Sequence, residues 1–102
     1  MSILHTVNKS PFEKNSLDEC LSHATDGSAI LLLEDGVYAA MQGTKAEADL
    51  KGAMASKKVY ALGPDIKLRG LSTDKIIDGV EVVDYAGFVD LTESNDKVQS
   101  WL

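Results

Sequence analysis

Cys20 is the only cysteine in the sequence, and it is the first candidate for a reactive side chain. A thiolate is a nucleophile, and the dipole of a helix favours a thiolate near the helix start. The neighbouring carboxylates of Asp18 and Glu19 oppose it by like charge. In a second interpretation, Cys20 is a small apolar member of a buried helical stripe, since free cysteine is among the most buried residue types. The residues alone favour this second interpretation.

Two histidines and one aspartate are the other candidates. His23 follows Cys20 by three residues and, on a helix, could stabilise a thiolate or share a metal with it. Two ligands do not make a site, so we expect an exposed histidine near a helix end. For His5 we expect a hydrogen-bonded core histidine rather than a catalytic one. Asp35 precedes a glycine and could bind a cation, but capping the following turn is the preferred interpretation.

Motifs for other chemistries are missing from the sequence. Gly27, Gly36 and Gly43 are too widely spaced for a dinucleotide or nucleotide phosphate loop. No serine occupies a nucleophile elbow, and no spacing of histidines and acids indicates a closed metal site. We therefore expect neither a cofactor nor a metal.

Composition narrows the class of protein. With 102 residues, the chain is expected to form a single domain, 1–102. The formal net charge is −6 and the ten basic residues are scattered, which argues against direct binding to nucleic acid. No apolar run reaches the ~20 residues of a membrane span, so no membrane association is expected. A lone cysteine cannot form an internal disulfide, which suits a reducing cytoplasm.

The segment 29–34 has the sequence AILLLE and lies between Gly27 and Gly36. Five consecutive apolar residues without alternation predict a strand that is buried on both faces. Such a strand is typical of the middle of a parallel sheet with helices on each side. Further strands are predicted at 2–7, 57–62 and 80–83, and 98–102 is either a fifth strand or a docked tail.

Helices are predicted between these strands. Capping-box patterns at 16–19 and 44–47 predict two helix starts, and Asp84 predicts a third. Shorter helical segments are expected at 37–41 and from 63 to 69. The alternation predicts an α/β fold, a three-layer sandwich with a mainly parallel five-stranded sheet flanked by helices. Ligands of such folds sit at the carboxyl ends of strands, here the loops 8–15, 34–43 and 63–65.

Several segments together resemble the DsrH/TusB family of sulfur-relay proteins in the DsrE-like superfamily. They are LHTVNKSPF at 4–12, LLLEDGV at 31–37, VYAL at 59–62, RGL at 69–71, DYAGFVDLT at 84–92 and the closing Trp101. The segments occur in order across essentially the whole chain. The resemblance implies a DsrE-like fold without cofactor, in a cytoplasmic hetero-hexamer with DsrE-like and DsrF-like subunits. Trp101 and Leu102, which have little obvious use within the chain, are expected to contact these partners.

Two branches of the family imply different roles. The DsrH branch relays persulfide sulfur in sulfur oxidation and exchanges it with TusA-like and DsrC-like carriers. The TusB branch serves 2-thiolation of a wobble uridine in tRNA. In both, the main persulfide cysteine belongs to a partner subunit. Cys20 stands where the DsrH branch has a cysteine and many TusB chains lack one, so the expected function is the DsrH role, with Cys20 as candidate catalytic persulfide carrier. The alternative is a non-catalytic TusB-type scaffold.

Overall fold

The computed structural model describes residues 2–101, in which strands and helices alternate. The strands are β1 (Ile3–Val7), β2 (Ala29–Leu32), β3 (Lys58–Leu62), β4 (Glu81–Val83) and β5 (Lys97–Trp101). The α-helices are α1 (Ser16–His23), α2 (Ala46–Ala53), α3 (Gly63–Leu68) and α4 (Tyr85–Ser94). Two 3-10 helices occupy Glu34–Ala40 and Thr73–Lys75.

The five strands form one sheet in the order β4-β3-β2-β1-β5, and all four pairings are parallel. β2 is the central strand and all four of its residues are buried, as its unbroken apolar run predicts. It ends at Leu32, two residues before the predicted end, because Glu34 already begins the 3-10 helix. The segment 97–101 is a strand on the edge next to β1, which decides between the two interpretations of the C-terminal residues.

Helices cover both faces of the sheet, which confirms the three-layer α/β architecture. On one face, the α1 face, helices α1, α2 and α3 bury a large core. Its members include Val7, Leu17, Cys20, Ile30, Leu32, Leu50, Val59 and Ile66. On the other face, the α4 face, a smaller core of Leu4, Ala29 and Leu31 packs against partly buried side chains that include Phe88 and Leu91 of α4. The α4 face is therefore much the thinner layer.

The predicted helix starts have three different outcomes. Asp84 caps α4 as expected, since its Oδ1 accepts a hydrogen bond from the Gly87 N–H at 2.8 Å. The capping box at 16–19 is wrong: Ser16 is the first helical residue, and the cap residue Asn15 makes no side-chain cap bond. At 44–47 the box is displaced, because the Glu47 carboxylate accepts from Gly43 N–H rather than from that of Thr44.

None of the helices within residues 2–101 is long and apolar enough to cross a membrane.

Candidate functional site

Cys20 lies five residues into α1 and its side chain points into the core of the α1 face. It is 0% exposed and shares this core with Leu17, one turn earlier, and with Ile30 of the central strand. The start of α1 at Ser16 places the sulfur beyond the first turn, where the effect of the helix dipole fades. In this chain by itself, the thiol has no direct access to solvent.

The surroundings of Cys20 oppose ionisation. Burial raises the pKa of the Cys20 thiol to about 12, and the positive charge of Lys57 lowers this pKa by a smaller amount. Desolvation dominates because a thiolate loses its hydration in an apolar core and gains only one nearby cation. At neutral pH the thiol is therefore protonated, and a protonated thiol is a poor nucleophile.

Lys57 is a residue that the sequence analysis missed. Its side chain is only 11% exposed, and its Nζ lies 3.9 Å from the exposed carboxylate of Asp26. It lines an open groove between α1 and α2 together with Asp18 and Asp49. Lys57 follows Cys20 by 37 residues, so no short spacing in the sequence indicates that the two side chains interact.

His23 does not pair with Cys20. Its Nδ1 lies 2.8 Å from the backbone oxygen of Glu19, within the same helix. Its ring packs at a tilt against Trp101, with ring centroids 5.6 Å apart. This confirms the interpretation of His23 as an exposed residue at the end of its helix.

His5 is the hydrogen-bonded core histidine that the sequence predicts. It is buried, and its Nδ1 accepts a hydrogen bond from the indole N–H of Trp101 at 3.0 Å. Trp101 also packs against the core of the α1 face. The expectation that Trp101 has little use within the chain is therefore wrong, because β5 carries it back alongside β1. Leu102 lies outside the described residues.

The Asp35 carboxylate pairs with Arg69 and makes no cap bond to the 3-10 helix. Its Oδ1 accepts hydrogen bonds from Nε of Arg69 at 2.9 Å and lies 2.9 Å from a terminal nitrogen of the same guanidinium. Arg69 also lies 3.7 Å from Asp65, whose other carboxylate oxygen accepts from the Glu34 N–H at 2.6 Å. Glu34 has a φ of 50°, so this bond supports a left-handed backbone conformation that is uncommon for a non-glycine residue.

Asp35 and Asp65 of this network follow the carboxyl ends of β2 and β3, in two of the three segments that the sequence singles out, and Arg69 follows α3. Both carboxylates share the single guanidinium of Arg69, and Asp65 also accepts from the Glu34 N–H, so the network holds the turn in shape. A cavity of about 450 Å³ lies at the opposite end of the sheet, beside the first residues of β2 and β3, and its lining includes Tyr60 and Leu91. Within residues 2–101, no group of three or more His, Cys, Asp or Glu side chains is placed to hold a metal.

Comparison with known proteins gives consistent matches along the chain. The family model described as DsrH like protein matches residues 9–98. A Protein TusB from Pectobacterium parmentieri is 36% identical over 101 residues, which cover 97% of this chain and 100% of that protein. A Protein TusB from Escherichia coli (strain K12) is 36% identical over 99 residues, with the same coverage.

Solved structures share the fold. The ychN protein from E. coli superimposes with a TM-score of 0.83 at 24% sequence identity, over 98% of each chain. Protein Tm0979 from Thermotoga maritima gives a TM-score of 0.63 at 24% identity, over 92% of this chain and 93% of that one. At this level of identity, the two structures support the fold and carry no residue roles.

Proposed function

The chain belongs to the DsrH/TusB family of sulfur-relay proteins, and we propose that it is a TusB-type structural subunit of a cytoplasmic complex. This complex would pass persulfide sulfur towards 2-thiolation of a wobble uridine in tRNA, with the sulfur-carrying cysteine on a related partner subunit. The relatives named TusB match over their full length, which supports this branch. The tRNA-thiolation role therefore takes the place of the sulfur-oxidation role that the sequence analysis expected from the presence of Cys20.

The observation that carries the structural role is the burial of Cys20. Sulfur passes between proteins when a thiolate attacks the outer sulfur of a persulfide, so a carrier needs an ionised and reachable sulfur. Cys20 is 0% exposed and its pKa is raised to about 12 by burial. Both properties fit a packing residue and oppose a carrier.

The second candidate is the DsrH role in sulfur oxidation, with Cys20 carrying persulfide for TusA-like or DsrC-like carriers. Two observations favour it: a cysteine occupies the first helix, and the charge of Lys57 lowers the pKa of its thiol. For this role, assembly with partners must move α1 and expose the sulfur.

Thiol labelling separates the two candidates. The complex with its two presumed DsrE-like partners is treated with a small alkylating agent at pH 7 and measured by intact mass. A parallel sample receives a persulfide donor in place of the alkylating agent. We expect no adduct on this subunit in the folded complex, one alkyl group after denaturation, and added sulfur only on a partner.

Two variants sharpen this experiment. Cys20→Ala removes the sulfur and leaves the apolar surroundings intact, so a complex containing it should still load and release sulfur at the wild-type rate. Cys20→Ser keeps the size but buries a hydroxyl group, so it should weaken folding without changing sulfur transfer per folded complex. Added sulfur on Cys20 in the native complex, together with loss of transfer in Cys20→Ala, would establish the carrier role instead.

The thin α4 face supplies the surface that we propose for the partner subunits. No residue of α4 is buried, and Tyr85 and Val89, which are 61% and 51% exposed, lie one turn apart on the helix. Val98 of β5 is also exposed and shares this face, because it stands in register with Leu4 of the α4-face core. Exposed apolar side chains next to each other, such as Tyr85 and Val89, are typical of protein–protein contact surfaces.

Val89→Asp tests this surface with a matched control. The variant places a charge in the proposed contact, so co-purification with the partners should be lost while the isolated subunit remains folded. Leu68 is 80% exposed on α3, whose Ile66 packs into the α1-face core, and Leu68→Asp should assemble normally. Normal assembly of Val89→Asp, or equal loss in both variants, would remove α4 as the docking helix.

A further inference from the structure

His5 of β1 and Trp101 of β5 lie side by side on the α1 face. The strands pair in register from Ile3 opposite Lys97 to Val7 opposite Trp101, which places His5 two residues from the end of the ladder. The indole Nε1–H donates to His5 Nδ1 at 3.0 Å, and the two ring centroids are 6.1 Å apart. This side-chain bond therefore fastens the last described residue of an edge strand to its only neighbour in the sheet.

The chemistry of the bond determines the protonation state of His5. An indole N–H can only donate, so Nδ1 must be an unprotonated acceptor and the neutral imidazole carries its hydrogen on Nε2. His5 is 4% exposed, and its buried Nε2 has no hydrogen-bond partner among residues 2–101. A second proton on the ring would place an N–H on Nδ1, directly facing the N–H of Trp101.

The groups around His5 offer no compensation for a positive charge. On β5, Gln99 stands opposite His5 and Lys97 lies further along the same face. On β2 the neighbour is Ile30. The titratable groups on α1 are Asp18, Glu19, Cys20 and His23, of which His23 contacts the Trp101 ring. No carboxylate within residues 2–101 forms an ion pair with His5. Burial accordingly lowers the pKa of His5 below its ordinary value of 6.5.

We propose that His5 and Trp101 form a proton-sensitive latch, which holds the end of β5 on the sheet while His5 is neutral and releases it when His5 is protonated. The other end of β5 is held separately. The Asp96 N–H donates to Ser2 O at 3.0 Å, and the Ser2 N–H donates to the Asp96 carboxylate at 2.9 Å. Protonation therefore frees the Trp101 end of the strand and leaves the Ser2 end attached.

Trp101 is the only tryptophan, so its fluorescence reports on the latch directly. The full chain is titrated from pH 8 to pH 5, with far-UV circular dichroism at each step to confirm that it remains folded. We expect one reversible change in emission with a midpoint below 6.5, the ordinary pKa of histidine. Emission that stays constant down to the onset of acid unfolding would overturn the proposal.

Two variants identify the responsible group. In His5→Asn the amide oxygen lies near the position of Nδ1 and accepts from Trp101 without titrating, so the emission change should disappear. His23→Gln removes the other imidazole beside Trp101, and the change should persist. A transition that survives in His5→Asn, or that disappears in His23→Gln, would assign the titration to another group and overturn the latch.

Nuclear magnetic resonance of the wild-type chain tests the latch without relying on the folding of a variant. Two-bond proton–nitrogen correlations at pH 7.5 should show His5 with its hydrogen on Nε2. Amide exchange near Trp101, corrected for the intrinsic effect of pH, should become at least several-fold faster across the fluorescence transition, with exchange in β2 unchanged. A hydrogen on Nδ1, or uniform acceleration over the whole sheet, would contradict the proposal.

Discussion

Replacing Gly36 by alanine puts a methyl group where the fold leaves no room for one. A Cβ atom on Gly36 would overlap the carbonyl oxygen of Val7 and lie 2.9 Å from the carbonyl carbon of Val7. Both are backbone atoms, and the oxygen also accepts a hydrogen bond from the Leu33 N–H at 3.1 Å. No side-chain rotation relieves the overlap, so the end of β1 and the turn after β2 must move apart.

The loss of unfolding free energy in Gly36→Ala is large because the overlapping atoms belong to the backbone of Val7. Overpacking of a well-packed site costs about 1–3 kcal/mol, and an immovable backbone neighbour places Gly36→Ala at about 2–3 kcal/mol of lost unfolding free energy. For a domain of this size, a loss of 1 kcal/mol lowers the melting temperature by ~4–8 °C. The variant should therefore melt at least roughly 8 °C below the wild type.

Gly52→Ala is the matched control. Gly52 lies in α2, and a Cβ atom there meets nothing within 4 Å. Alanine is favoured over glycine inside a helix by about 0.5–1 kcal/mol, so this variant should be more stable than the wild type.

Urea unfolding, followed by circular dichroism, measures both glycine variants. With a slope of ~1–3 kcal/mol per molar urea, the Gly36→Ala midpoint should fall by roughly 1 M and the Gly52→Ala midpoint should rise. The steric argument is refuted if Gly36→Ala unfolds at the wild-type midpoint, or if both variants shift in the same direction by the same amount.

Four other outcomes are expected. Asp84→Ala removes the cap bond to Gly87 and should cost about 0.5–2 kcal/mol in urea unfolding, while Asp84→Asn should keep most of it. The pKa of the Cys20 thiol is raised from 9.0 to about 12, so its burial stabilises the fold fully below pH 9, and this stabilisation is lost as the pH rises towards 12. Cys20→Ala should remove this loss of stability at alkaline pH. Burial lowers the pKa of His5, so its neutral ring stabilises the fold fully above pH 6.5, the ordinary pKa of histidine. Below pH 6.5 the unfolding free energy should fall by at most ~1.4 kcal/mol per pH unit, and His5→Asn should reduce this slope. The isolated chain, with a net charge of −6, should not bind tRNA in a salt-dependent manner, and tight binding in a filter assay would contradict this.

Features encoded in neighbouring residues were predictable from the sequence. The unbroken apolar run of β2 predicts a buried central strand, because a strand with one wet face would alternate. Asp84 predicts a cap, because its carboxylate needs only a backbone N–H three residues later. Ser16 has the same kind of local signal but makes no cap bond, because α1 begins one residue earlier than the pattern predicts. Local patterns thus identify an element more reliably than its first residue.

Features that join distant residues were decided by the tertiary structure. Trp101 meets His5 across 96 residues, because β5 pairs in parallel register with β1. Arg69 meets Asp35 for a similar reason, since the ends of β2 and β3 lie at one edge of the sheet. The state of Cys20 is likewise tertiary. The sequence identifies a cysteine on a helix, whereas only the packing of α1 on the sheet removes its sulfur from solvent and raises its pKa.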